Sequence, residues 1–196
     1  MKKTVAFSKN ATNVFFHILT RCNLKCRHCY INKKQHGKNM LPIETINAWL
    51  EVFASKNKQA NVIFLGGEPT LHPDLPEAVN KAKSLDYSSI TIDTNGYLFH
   101  DILSKVSPDV IDYFSFSLDG ATQKTNDMIR GKGSFDTCIQ GIKNAVLKGF
   151  STSLIYTVST KNIHELDQIE SLLKDLKIDR FFIQVIGIRG KSAESR

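Results

Sequence analysis

Cys22, Cys26 and Cys29 stand within eight residues, in the run Arg-Cys-Asn-Leu-Lys-Cys-Arg-His-Cys-Tyr, and the chain holds one further cysteine, Cys138. Thiolates are soft ligands suited to iron-sulfur clusters and zinc, and three of them leave a tetrahedral metal or a four-iron cube one ligand short. Chemistry can take place at that open position. Two other readings stay open at the level of residues. Cysteines at i, i+4 and i+7 could line a buried helical face, but Asn23, Lys25 and Arg27 between them supply no apolar stripe to accompany it. His28 could complete a zinc site of three cysteines and one histidine, but structural zinc sites commonly draw on two separated pairs.

Three further elements share a setting with the cysteine cluster. These are Gly66-Gly67-Glu68-Pro69-Thr70, Thr94-Asn95-Gly96 and Ser117-Leu118-Asp119-Gly120, each at or just after the end of a β-rich run. Six such runs are expected, at 14–20, 62–65, 89–94, 113–118, 152–158 and 180–186, alternating with amphipathic helical patterns. One helical stripe is Ile43, Ile46, Trp49, Leu50 and Phe53, with Pro42 at the first helical position. A second is Leu75, Ala78, Val79 and Ala82. Phe135, Ile139, Ile142, Ala145 and Val146 follow Ser134 as a cap and end at Gly149; Ile163, Leu166, Ile169, Leu172, Leu173 and Leu176 form the last stripe. Repeated βα units imply a parallel α/β sheet.

Alternation along the strands narrows the architecture. Phe114, Phe116 and Leu118 share one face while Ser115, Ser117 and Asp119 share the other; Ile90 and Ile92 oppose Thr91, Asp93 and Asn95. Ser153, Thr157 and Ser159 continue the polar face, and Gln184 sits amid apolar neighbours. A closed eight-stranded barrel packs its interior with branched apolar side chains, so a polar inner face predicts an open, partial (β/α)6 TIM-like barrel with a substrate-holding lumen. In such a barrel the loops at the carboxyl ends of the strands build the active site, which brings the four elements together. His17 could be a core or a pocket histidine, and Tyr156 could pack under the helices or face the lumen. Cys138 falls on an apolar helical stripe and reads as a buried thiol.

With 196 residues, 41% of them hydrophobic, the chain is expected to form one domain spanning 1–196. No apolar run approaches the roughly 18 residues of a membrane span, and no secretory signal follows Lys2 and Lys3. A cytoplasmic protein with reduced thiols is expected. The formal net charge of +7 includes a basic loop at Lys33, Lys34, His36 and Lys38, read first as a solvated surface. No aromatic-interleaved basic stripe favours RNA, so nucleic acid is not the expected partner.

The spacing of Cys22, Cys26 and Cys29, the Gly-Gly-Glu-Pro at 66–69 and the Ser-x-Asp at 117–119 together resemble the radical S-adenosylmethionine (radical SAM) enzyme family over nearly the whole chain. The resemblance implies a 4Fe-4S cluster held by Cys22, Cys26 and Cys29, with S-adenosylmethionine binding the fourth iron through its amino and carboxylate groups. It assigns Gly66, Gly67, Glu68 and Pro69 to the loop that holds the amino group, with the glycines allowing close backbone approach and Glu68 supplying negative charge. Asn95, Ser117 and Asp119 join the cofactor site, the last two against ribose hydroxyls, and Arg130 pairs with the carboxylate. His28 shields the cluster. A reducing flavodoxin or ferredoxin is implied as electron donor.

The segment 129–135 is similar to that of members with a C-terminal auxiliary-cluster domain, many acting on peptides or tetrapyrroles. The chain is accordingly expected to be a core domain lacking the final helix and any C-terminal extension. Two rivals remain at this stage: a non-enzymatic iron-sulfur protein for electron transfer or sensing, which leaves Gly-Gly-Glu-Pro and Ser-x-Asp unexplained, and an RNA-modifying radical SAM enzyme, whose binding would weaken steeply with salt.

Overall fold

The computed structural model describes residues 12–32, 34–57, 59–185, 187 and 190. Lys2, Lys3, Lys33 and the end of the sixth run at position 186 lie outside the described residues. Six strands form one parallel sheet in sequential order: β1 (Asn13–Leu19), β2 (Asn61–Gly66), β3 (Ser89–Thr94), β4 (Tyr113–Ser117), β5 (Thr152–Val158) and β6 (Arg180–Val185). β1 and β6 do not pair, so the structure is the expected open partial barrel. Among the described residues no helix is long and apolar enough to cross a membrane.

The two faces of the sheet divide by residue parity. Phe16, Ile18, Val62, Phe64, Ile90, Ile92, Phe114, Phe116, Leu154 and Tyr156 point to the helices and are buried in one apolar cluster. Against them pack Ile46 and Leu50 of α1 (Ile43–Lys56), Ala78 and Val79 of α2 (Leu75–Ser84), Cys138, Ile142 and Ala145 of α5 (Ser134–Leu147) and Ile169 of α6 (Leu166–Asp175). Each large side chain so buried contributes about 1.5–3 kcal/mol from water exclusion. Tyr156 belongs to this side, its hydroxyl donating to the Asn162 carbonyl at 2.9 Å. Pro42 caps α1 rather than opening it.

On the other face, Phe15, Ile63, Thr91, Asp93, Ser115, Ser153, Ile155 and Gln184 surround a lumen. Its floor is closed by hydrogen bonds from Asn61 to Asn13 at 2.9 Å, from Ser89 to Asn61 at 2.8 Å and from Arg180 Nε to the Tyr113 hydroxyl at 2.9 Å. His17 is exposed on this side, its ring edge-on to Tyr30 at 5.5 Å.

Two short helices carry no apolar stripe and escaped the sequence reading: α3 (Ile102–Lys105) and α4 (Gln123–Arg130). α4 is held by its cap instead. The Thr122 hydroxyl accepts from Thr125 N at 3.3 Å, and the buried carboxylate of Glu165 accepts from Ala121 N at 2.7 Å and from the Thr122 hydroxyl at 2.8 Å. Ser134, expected as the cap of α5, is its first residue; left-handed Gly133 precedes it, and the Ser134 hydroxyl accepts from Asn126 at 2.9 Å. Asp127 accepts from the N–H groups of Gly133 and Phe135, which fixes this turn without a serine cap.

Candidate cluster and cofactor site

The cysteine loop leaves β1 beside the loop that leaves β2, and the two run together as a backbone ladder. Gly67 N donates to Leu19 O and Glu68 N to Arg21 O, both at 2.9 Å, and the Tyr30 hydroxyl donates to Gly66 O at 2.8 Å. A Cβ at Gly67 would fall 2.1 Å from Arg21 O, and one at Gly66 2.3 Å from Leu19 O. Only glycine permits this approach. On its far side the cysteine loop is tied to α4, Arg27 N donating to Ile129 O at 2.9 Å.

Cys22, Cys26 and Cys29 line one cavity of about 320 Å³ together with Gly66, Gly67, Asn95, Ser117 and Arg130, so eight of the eleven residues singled out from sequence converge there. None of the cysteines is in a disulfide. Burial pushes the Cys22 thiol up to about 12, against a supporting hydrogen bond from Leu24 N, and Glu68, Cys26 and Cys29 add to the rise. Burial also raises Cys26, with Arg130 opposing. Metal binding would displace these thiol protons. Among the described residues, no three Cys, His, Asp or Glu side chains approach closely enough to share one ion. Three thiols lining one cavity leave a metal or cluster one ligand short. His28 lines the same cavity, its Nε2 lying 3.3 Å from Asp119 Oδ2.

Three of the expected residues do not line the cavity: Glu68, Pro69 and Asp119. Glu68 is fully buried. Its Oε1 accepts from Thr70 N at 3.1 Å, the Thr70 hydroxyl at 2.6 Å and the Thr94 hydroxyl at 2.8 Å, and its Oε2 accepts from Asn95 N at 2.7 Å. Burial raises its pKa while these four bonds oppose the rise. Its carboxylate is taken up by its own loop and β3, and it sets Asn95, whose Nδ2 donates to Asn23 Oδ1 at 2.8 Å and lies 3.8 Å from Cys22 Sγ. Pro69 opens a 3-10 turn at Pro69–Leu71.

Asp119 is likewise fully buried, its Oδ1 accepting from Thr157 N at 2.8 Å and its Oδ2 lying 2.6 Å from Arg130 Nε. The Arg130 contact joins opposite charges, both side chains being buried. Burial works to lower the Arg130 pKa, but Asp119 and Cys26 outweigh it and the net direction is up. Burial lowers the His28 pKa, with Asp119 opposing. Asp119 thus clamps α4 and the cysteine loop to the end of β4.

Sequence reasoning missed His28 as a partner of Asp119, and gave no role to Tyr30, Thr157 or Asp93, all but the last being loop or strand-end residues whose partners are remote in sequence. Asp93 was placed on the wet face by alternation alone. It lines the same cavity as the cysteines, and burial pushes its carboxyl up to about 7, a Ser115 hydrogen bond opposing and Glu68 reinforcing.

This arrangement, an open βα barrel with three cysteines and a glycine pair at the carboxyl ends of its strands, defines a cluster-binding enzyme class. The model of the Radical SAM superfamily matches residues 16–190, and the chain belongs to that superfamily of enzymes. Relatives include an Fe-coproporphyrin III synthase of Methanosarcina barkeri, 36% identical over 190 residues and covering 94% of this chain and 47% of that protein. A probable GTP 3',8-cyclase of Saccharolobus islandicus is 31% identical over 164 residues, covering 83% and 53%. The chain spans about half the length of these relatives. The fold is similar to that of Streptococcus suis SuiB bound to its precursor peptide SuiA (TM-score 0.77, 20% identity, 91% of this chain and 40% of that one) and to methylornithine synthase PylB (TM-score 0.75, 16% identity, 95% and 57%). Radical SAM proteins bind S-adenosylmethionine, and SuiB has been solved with it bound (TM-score 0.75, 19% identity, 90% and 41%).

Proposed function

We propose that the chain is the catalytic core, within 1–196, of a radical SAM enzyme acting on a peptide or tetrapyrrole. The convergence of Cys22, Cys26 and Cys29 with Gly66, Gly67, Asn95, Ser117 and Arg130 on one cavity carries this reading. Bound there, a 4Fe-4S cluster and S-adenosylmethionine would supply reductive cleavage to methionine and a 5'-deoxyadenosyl radical that abstracts hydrogen from substrate.

The chain's own residues bind and orient. The three thiols would hold the cluster, one ligand short of a full set. Gly66 and Gly67 let the β2 loop backbone lie against the methionine part of the cofactor. The Ser117 hydroxyl is available to a ribose hydroxyl, and the Arg130 guanidinium presents its remaining N–H groups to the carboxylate while Asp119 fixes its Nε. Glu68 takes a positioning role: it fixes Thr70, Thr94 and Asn95 and thereby the rim of the cavity. The net charge of +7 suits an acidic flavodoxin or ferredoxin as reductant.

The test is anaerobic reconstitution with iron and sulfide, followed by S-adenosylmethionine and a strong reductant. Wild type is expected to form 5'-deoxyadenosine and a broad cluster absorbance, and Cys26→Ala to lose both. An intact cluster without 5'-deoxyadenosine would support the electron-transfer or sensor reading in its place.

A further inference from the structure

Below the cofactor cavity the lumen continues into a second cavity of about 120 Å³. Its walls differ. Thr91, Asp93, Ser115, Ser153 and Gln184 supply the polar groups, from β3 to β6, while Phe15, Ile63, Ile155, Phe182 and Ile183 make the larger, apolar part. Register places Asp93, Ser115 and Ser153 in one cross-strand row. Asp93 is the one ionisable side chain lining this cavity among the described residues, and no Lys, Arg or His joins it. Arg180, which continues the row in register, is turned to the floor by its bond to Tyr113. Asp93 also lines the cofactor cavity, so whatever it holds lies beside that site.

One polar atom here lacks a partner. Thr91 is 4% exposed and its Oγ1 makes no hydrogen bond, although it belongs to the wall of the cavity. A buried hydroxyl left unsatisfied costs stability unless a ligand or water meets it. The charge balance indicates what that ligand is. A carboxylate placed here would face Asp93 with no cation to offset the repulsion, whereas a cationic nitrogen would meet one carboxylate and three hydroxyls as acceptors. The volume, well below the roughly 300 Å³ of pockets for drug-sized ligands, admits a short side chain and no macrocycle.

We propose that this cavity is the subsite for the reacting end of the substrate, that it takes an alkylammonium group such as a lysine side chain, and that Asp93 selects it, with the stem along Phe15, Ile63 and Ile155 and Thr91 accepting a further N–H. This rests on the proposed function and chooses within it: a basic side chain of a peptide, not a propionate of a tetrapyrrole, enters the lumen.

The test uses the full chain loaded anaerobically with cluster and S-adenosylmethionine, so that the upper cavity is filled, and saturation-transfer NMR with n-butylammonium and, separately, n-butyrate as probes. Butylammonium is expected to give at least five times the signal of butyrate, to lose at least fivefold in Asp93→Asn and to lose at least twofold in Thr91→Val. Equal signals from the two probes, or a butylammonium signal indifferent to Asp93→Asn, would overturn the proposal. If Asp93→Asn does not fold, Thr91→Val decides, and an unchanged signal there overturns it as well. Formation of 5'-deoxyadenosine by the wild-type preparation is scored separately, so failure of the radical SAM reading and failure of the subsite are told apart.

Discussion

Three carboxylates near the site have three different fates, each set by the donors that packing supplies. Glu68 receives four hydrogen bonds, Asp119 is shared between Thr157, Arg130 and His28, and Asp93 keeps only Ser115 and stays high. The last has a consequence for stability. Because the Asp93 carboxyl titrates at about 7 in the fold and near 3.9 in an unfolded chain, the unfolded state ionises first as pH rises. The fold is unpenalised below about pH 4, loses stability between there and about 7, and carries the full cost above. Asp93→Asn should therefore raise the Tm relative to wild type by on the order of 10 °C more at pH 8 than at pH 4; a pH-independent difference in thermal melts would contradict the shift. Gly67 invites a second test at this scale. Gly67→Ala drives a methyl into Arg21 O, so the β2 and cysteine loops must separate, and binding of S-adenosylmethionine to the loaded protein should weaken at least tenfold by calorimetry.

Among the elements, α4 depends on remote support. It is two turns long with little apolar surface, too short to hold together unaided. Glu165, forty residues beyond Thr125 in sequence, accepts from the Ala121 and Thr122 amides and the Thr122 and Thr125 hydroxyls. Glu165→Ala strips all four, and at 1.5–3 kcal/mol for a hydrogen bond to a charged group, less relaxation, a loss on the order of 3 kcal/mol is expected in urea unfolding. A loss below about 1 kcal/mol would show that α4 is held by packing alone. The same variant should weaken S-adenosylmethionine binding, since α4 ends at Arg130. Helix α5 is fixed in a different way: a Cβ at Gly141 would fall 2.3 Å from Gly96 O, so the helix lies directly on the loop that carries Asn95. Gly141→Ala should cost about 1–3 kcal/mol through overpacking.

Across the whole molecule, burial is unevenly spread. β2, β3 and β4 are almost wholly buried, while Ile183, Gln184 and Val185 of β6 are exposed and α6 buries Ile169 alone. Few apolar contacts mean a low local opening energy. Amides of β6 should exchange with deuterium at least a hundredfold faster than those of β3; uniform protection would contradict this. The proposed acidic reductant gives the charge of +7 a consequence at the same scale, through steering. Reduction by an acidic flavodoxin should slow as ionic strength rises, and a salt-independent rate would remove electrostatic complementarity from the account.

The sequence by itself determined the strand order, the helix-facing half of each strand and the clustering of motifs at one end of the sheet. These follow from local periods of two and 3.6 and from the rule that βα units repeat side by side, which need no knowledge of distant residues. Cys22, Cys26 and Cys29 were legible for the same reason, three soft ligands within eight positions. Only the tertiary structure decided which polar groups are satisfied within the fold and which line the lumen. Glu68 and Asp119 turn inward because Thr94, Asn95, Thr157 and Arg130 arrive from other strands and helices to satisfy them, and Asp93 is left facing the lumen because no cation arrives. A carboxylate's direction is the outcome of competition among donors that only packing brings together, and so it is absent from any local pattern.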